Sequence, residues 1–426
     1  MRSADWQLIF KIGTFMNNKS ENTSTYKSST KSFKAKWILP VSRPPIEDGI
    51  IVVQDDQIIK VGPVNSIARD LVEQPTDLGD SVIFPAFVNV HTHLEHHSPS
   101  QPPTDFVNYQ KAIRAYNSET SDDIKRQNVV KSIEECYQYG TIAVADSSTF
   151  GISYNQLVES HLFARVFHEL TGFRKLKSSD IIKEHHNIIK SLDTHKKVTN
   201  HLAPSSVWAV SPTLFRDIAA NERHFSIHLA MTRDELEFTL NGKGKIKNLL
   251  LSIDDFDYDW KVPGLSPVKY YFNNHFFSKH NILVHMIHTN ASDIDTIRES
   301  PAKANICLSP RSNELLSLGT APARLFLEKG LNICLGTESR ISTPDLDMRK
   351  ELVKCVETHS IPPDTALKFS TLNGAYAIGF HQEVGSLEPG KTSKCLVLRR
   401  GLSEAKDPYN LIMESEEKVQ WLQQIS

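Results

Sequence analysis

Eight short apolar runs, separated by stretches with amphipathic patterning, constrain this chain more than any other feature. They are VIFPAFVNV (82–90), TIAVADSS (141–148), ARVFHEL (164–170), SVWAVSP (206–212), HFSIHLA (224–230), NILVHMIH (281–288), ANICLSP (304–310) and LNICLGT (331–337). Strands this apolar are buried on both faces, and a parallel sheet covered by helices is the arrangement that buries them so. Eight of them favour closure into an α/β fold of the (β/α)8 TIM-like barrel type, with reactive groups at the C-terminal ends of the strands. One connection can be read in detail. Ser121 as an N-cap, the apolar stripe Ile124, Val129, Val130, Ile133 and Tyr137, and Gly140 as terminator predict a helix between the first two strands.

Two further β-rich pieces flank these runs. KAKWILPV and DGIIVVQDDQIIKVG, between Phe33 and Pro63, read as short strands joined by turns, and VGSLEPGKTSKCLVLRRG, from Val384 to Gly401, reads the same way. The two ends are expected to pair into one small β-sandwich. The expected organisation is a loose extension over 1–32, a sandwich from 33–80 plus 382–426, and a barrel over 81–381. The stretch Leu236–Phe276 is longer than one βα connection needs, so a lid or subdomain is expected there.

Charge narrows the function classes. With 48 Lys and Arg against 50 Asp and Glu, the formal net charge is −2. That balance carries no electrostatic footprint for nucleic acid or an anionic membrane. No apolar run approaches the roughly 18 residues a membrane span requires. Cys136, Cys307, Cys334, Cys355 and Cys395 are scattered without CxxC spacing, which argues against a disulfide framework and for a reducing cytoplasm.

The chemistry concentrates at the end of the first run, in Phe84-Pro85-Ala86-Phe87-Val88-Asn89-Val90-His91-Thr92-His93-Leu94-Glu95. Side chains at i and i+2 of a strand share a face, so His91 and His93 can both point into a barrel mouth and grip one metal. Taken alone, the pair reads more readily as two core or loop histidines, and its place at the end of the first barrel strand favours the metal. Several other motifs stand in order along the chain: Ser226-Ile227-His228-Leu229-Ala230-Met231, Val284-His285-Met286-Ile287-His288, Cys307 to Asn313 (CLSPRSN), Leu335-Gly336-Thr337-Glu338-Ser339, and the closing GSLEPGK of 385–391. Together with HTHLE they resemble the amidohydrolase superfamily, in particular its deaminase branch, over roughly Lys34 to Gly401. The phrases ARVFHELTG, WKVPGLSPVKYY (Trp260 to Tyr271) and PRSN are most similar to aminofutalosine deaminases, which act on a 6-aminopurine nucleoside derivative.

The resemblance implies a ligand set and roles. His91, His93, His228 and Glu338 would bind one divalent metal, with zinc favoured and ferrous iron the alternative. His285, with His288 as its rival, would orient a metal-bound water, and Glu338 would accept its proton. The positions facing the substrate would be Glu95, Tyr109, Ser205, Met231 and Asn313. The chain also departs from the family pattern. Glu338 stands where an aspartate is usual, Ser205 where a substrate-binding histidine is usual, and Lys394 where an aspartate closes the last motif. Met231 replaces the glutamate that protonates the substrate ring, and a thioether has no proton to give. A replacement would have to come from Glu95, Glu235 or His288.

Two readings follow. In the first, the protein is a metal-dependent hydrolase of a C–N bond other than a peptide bond, deaminating an aromatic amine such as a 6-aminopurine nucleoside derivative. In the second, it is a diverged non-catalytic relative that keeps the barrel to bind a ligand or partner. A small-molecule substrate is expected, without nucleic acid or membrane, and a homodimer is expected by analogy with related barrels.

Overall fold

The computed structural model describes residues 30–67, 74–149, 151–401 and 406–425, so most of the extension expected over 1–32 lies outside the described residues. The flanking strands are β1 (Thr30–Ile38), β2 (Ile46–Gln54), β3 (Gln57–Pro63), β4 (Thr76–Asp77) and β5 (Ser81–Pro85). The barrel follows with β6 (Phe87–His93), β7 (Thr141–Ser148), β8 (Phe163–Leu170), β9 (Val198–Pro204), β10 (His224–Leu229), β11 (His280–His285), β12 (Lys303–Leu308) and β13 (Asn332–Leu335). The short β14 (Glu338–Ser339) continues β13, and β15 (Cys395–Arg399) and β16 (Gln420–Trp421) close the chain.

Parallel pairing runs through β6–β9 and through β10–β13, and β14 pairs with β6. Two seams complete the ring. A bridge between Ser206 and His228 joins the end of β9 to β10, and the His228 N–H donates to the Ser205 carbonyl at 3.0 Å. At the other seam Glu338 and Ser339 lie opposite Thr92 and His93. Each strand's C-terminal end therefore opens on one common mouth. The predicted helix is present as Asp122–Gln138, with the Ser121 hydroxyl accepting from the Ile124 N–H and Gly140 at φ 82° behind it.

The structure redraws two strands. The fourth barrel strand is Val198–Pro204, not 206–212. Its sequence, VTNHLAP, looks too polar for a barrel, but its neighbours supply partners: Arg165 reaches Thr199 at 3.2 Å and His201 at 3.0 Å, and His168 meets Asn200 at 3.0 Å. Val207, Trp208, Ala209 and Val210 are apolar because they are buried in the turn that seals the strand's end. The first run also splits at Ala86. Pro85 has no N–H for a continuing ladder, and the chain passes there from β5, in the flanking sheet, to β6 in the barrel.

Both ends of the described chain join in one seven-stranded sheet, ordered β16-β15-β5-β1-β2-β3 with β4 beside β1. It curls on itself: the Ile58 N–H of β3 donates to the Lys391 carbonyl and the Gly390 N–H donates to the Ile58 carbonyl, both at 2.8 Å. The two layers of the expected sandwich are thus parts of one continuous sheet. Alternation decides its faces. Phe33, Ile51, Ile58, Ile83 and Val397 fill the inside of the curl, while Val82, Phe84, Leu396 and Leu398 pack into the barrel core.

The long stretch after β10 holds three short helices, Arg233–Asn241, Lys245–Ser252 and Pro267–Asn273. Phe238 and Trp260 stack there with ring centroids 4.5 Å apart, against Phe173.

One buried carboxyl in this scaffold makes stability depend on pH. Burial pushes the Glu351 carboxyl up from 4.5 to about 8, although Arg311 opposes the shift through its N–H at 3.2 Å and its guanidinium at 3.7 Å. A carboxyl whose folded value is raised stabilises the fold fully below its unfolded value, and that contribution is lost as pH rises to the folded value. Glu351→Gln does not titrate. Its stability relative to the parent protein should therefore rise between pH 5 and 8, on the order of 1 kcal/mol per pH unit. Denaturant unfolding of both proteins at pH 5.5 and pH 8 measures this, and a constant difference would contradict it.

Candidate metal and active site

The extended backbone of β6 carries His91 and His93 to the mouth on one side of the strand. His228 comes from the end of β10 and Glu338 from β14. His91 Nε2 lies 3.0 Å from Glu338 Oε2, His228 Nε2 lies 3.5 Å from Glu338 Oε1, and His93 Nε2 lies 3.9 Å from the same oxygen. His91 Nε2 and His228 Nε2 face each other at 3.1 Å. One ligand atom from each of the four residues lies within 4.8 Å of the others.

This donor set fits a divalent cation. Unprotonated imidazole nitrogens and a carboxylate oxygen are all acceptors. Brought this close in a buried site, they require a cation or a proton among them. Burial lowers His228, but Glu338 and Glu169 outweigh it and raise the ring to about 9. Glu338 is itself fully buried. Burial opposes its ionisation, yet His91, His285 and His228 hold it well below the ordinary carboxylate range. Three imidazoles with one carboxylate suit zinc or ferrous iron.

The backbone that carries Glu338 into the group is left-handed. Glu338 has φ 63°, and Ala230, His285 and Met286 at neighbouring strand ends have φ 51°, 74° and 52°. Such left-handed non-glycine residues cost about 1–3 kcal/mol each and gather at functional sites. The preceding Gly336 allows the approach, since a Cβ there would lie 2.7 Å from the His91 carbonyl. The Tyr109 hydroxyl then donates to Glu338 Oε1 at 2.9 Å. On the other oxygen's side stands His285, its Nε2 3.3 Å from Glu338 Oε2. Its Nδ1–H donates to Asn313 Oδ1 at 2.8 Å, which fixes the tautomer and leaves Nε2 open to a proton.

A chamber of about 620 Å³ opens over this group, lined among others by Phe106, Tyr109, Glu169, Trp208, Met231 and Glu235. That volume lies in the range of small-molecule sites. Its cover is the helix Phe106–Glu119, capped by Asp105, while the insertion after β10 contributes only Glu235 from the first turn of its first helix.

The other sequence candidates fall in different places. Ser205 and Met231 line the chamber. Glu95 lies behind its wall, where both oxygens are taken by the Ser148 hydroxyl at 2.8 Å and by Thr149 through its N–H at 3.1 Å and hydroxyl at 2.9 Å. Asn313 meets His285. His288 lines a separate cavity with Thr232, Arg233 and Leu316. Two groups escaped the sequence reading. Glu169, at the end of β8, has its oxygens 3.8 Å from His93 Nδ1 and 3.9 Å from His228 Nδ1, so it backs two of the histidines. His96 stacks on His93 at 4.9 Å and meets Ser339 at 3.0 Å. An acid at the end of a barrel strand was a usable signal for Glu169; His96, after the strand, offered none.

Residues 82–414 match the amidohydrolase family. The chain is 26% identical over 392 residues to a 5-methylthioadenosine/S-adenosylhomocysteine deaminase of Teredinibacter turnerae, covering 86% of this chain and 83% of that protein. It is 24% identical to a 5'-deoxyadenosine deaminase of Methanosarcina mazei, covering 83% of this chain and 80% of that protein. Among solved structures, Helicobacter pylori aminofutalosine deaminase superposes with a TM-score of 0.76 at 21% identity, covering 92% of this chain and 98% of that one. A zinc-bound adenosine deaminase from Xanthomonas campestris gives 0.74 at 17%, covering 90% and 88%. These neighbours share the (β/α)8 barrel fold.

Proposed function

Because this chain belongs to the amidohydrolase family, we propose that it is a metal-dependent C–N hydrolase that removes the exocyclic amine of a 6-aminopurine nucleoside derivative. The observation that carries this reading is the convergence of His91, His93, His228 and Glu338 beneath a chamber of about 620 Å³. The relatives named for adenosine-derived substrates support the substrate class.

We assign the four residues as the ligands of one zinc ion. Bound there, the ion would supply Lewis acidity that brings a water molecule to nucleophilic strength near neutral pH. The protein groups do the rest. Glu338 remains ionised and accepts the water's proton at Oε2, beside His285 Nε2 at 3.3 Å. Tyr109 holds the other oxygen in place. Phe106 and Trp208, whose ring centroids lie 5.9 Å apart edge to face, form an aromatic wall for a flat base. Behind His228 the Nδ1–H donates to the Ser205 carbonyl at 3.0 Å, as partners behind metal-binding histidines do, and the Glu169 carboxylate adds its charge 3.8 Å from His93 and 3.9 Å from His228. The five described cysteines are free and buried, and no described helix is long and apolar enough to cross a membrane. Both fit our placement of the enzyme in the cytoplasm.

Ammonia release from adenosine, 5'-deoxyadenosine, 5'-methylthioadenosine, S-adenosylhomocysteine and aminofutalosine tests the proposal on protein carrying one equivalent of zinc. At least one should be deaminated, and chelation should stop the release. Zinc-loaded protein that is silent on the whole panel would reject the reading.

A further inference from the structure

The geometry points to Glu235 as the proton donor that replaces the side chain missing at Met231, an inference that rests on the deaminase reading above. Glu235 stands four residues beyond Met231, in the first turn of the helix Arg233–Asn241. The Thr232 hydroxyl caps that helix by accepting from the Glu235 N–H at 3.0 Å. The side chain folds back toward the strand end, and Glu235 Oε2 accepts from the Met231 N–H at 2.8 Å. The donor has thus moved in sequence, while its carboxyl returns to the backbone of the residue it replaces.

The other acids near the metal group are committed. Both oxygens of Glu95 are bonded behind the wall, Glu169 takes the Ser205 hydroxyl and backs two histidines, and Glu338 belongs to the ligand set. Glu235 differs. It is 1% exposed, it lines the chamber, and its Oε1 has no hydrogen-bond partner. A buried carboxyl oxygen without a partner is costly when ionised and much less so when it carries a proton that a ligand can accept. Burial accordingly raises this carboxyl to about 7, against the Met231 and Ala230 N–H groups and His228.

In the reaction the Glu235 O–H bond breaks and an N–H bond forms at the ring nitrogen beside the amine-bearing carbon, as the oxygen of water bonds to that carbon. Of water's two protons, one passes by way of Glu338 to the amine, which leaves as ammonia. The other restores Glu235. Water and substrate thereby account for every atom.

The test compares Glu235→Gln with the parent zinc enzyme. Glutamine still accepts from Met231 and can donate a hydrogen bond, but it cannot transfer a proton. The expected result is a fall in kcat of roughly 10²- to 10⁴-fold, with unchanged zinc content and KM within about threefold. Adding Met231→Glu to Glu235→Gln should restore at least about tenfold of the loss. A readout without turnover uses purine riboside and 1-deazapurine riboside, which carry no amine and differ at the ring nitrogen. The parent protein should prefer purine riboside by about tenfold or more, and Glu235→Leu should erase the preference. An active parent whose Glu235→Gln variant keeps its kcat, or whose Glu235→Leu variant keeps the preference, overturns the inference alone. A zinc-loaded parent silent on every amine overturns the deaminase reading instead.

Discussion

Glu338→Gln is expected to stop ammonia release, to leave the metal site unable to hold zinc, and to leave the fold intact. Glutamine matches the shape of glutamate, so the left-handed backbone at φ 63° and the hydrogen bond from Tyr109 can persist. What disappears is a fully buried negative charge within 3.0–3.9 Å of a nitrogen on each of His91, His93, His228 and His285. The amide also cannot accept the proton of the attacking water. Loss of an acid–base group alone costs about 10²–10⁴-fold. With the ligand charge lost as well, we expect a rate at least about 10³-fold lower together with substoichiometric zinc. Metal analysis beside a single-turnover assay makes the comparison. Full zinc occupancy with more than about a tenth of the parent rate would assign the carboxylate no more than a packing role.

His285→Ala should separate chemistry from metal binding. His285 is fully buried and outside the four-residue group, and it is held between Glu338 and Asn313. Without it, Glu338 Oε2 loses the imidazole nitrogen 3.3 Å away that we propose as its proton relay. We expect kcat to fall about 10²-fold or more with zinc retained and KM little changed. Asn313→Ala acts one step further out, by releasing the His285 tautomer, and should cost about 10- to 100-fold. An unchanged kcat in His285→Ala would mean that Glu338 works without a relay and would remove His285 from the proton path.

Much of this site was legible along the chain because its chemistry is local to strand ends. His91 and His93 share a strand face by their i, i+2 spacing, and His228, His285 and Glu338 lie near the ends of apolar runs, where the resemblance placed them. The same rule failed at the fourth strand. Val198–Pro204 is polar on paper, since only its neighbours reveal that Thr199, Asn200 and His201 are partnered by Arg165 and His168. Apolarity pointed instead to 206–212, which is buried as a turn.

Sequence by itself determined the barrel class and the i, i+2 histidine pair, because periodicity is a property of short segments, while the further ligands and the proton donor wanting at Met231 were implied by the resemblance alone. Only the tertiary structure showed which nearby acids are already bonded and so which one our proposal could draw on. Glu95 stands two residues past a ligand, yet its side chain is bonded behind the wall, whereas Glu235 is brought back to the Met231 backbone by the turn of a helix. Whether a carboxyl is free or committed depends on partners distant in the chain, and those exist only once the barrel closes.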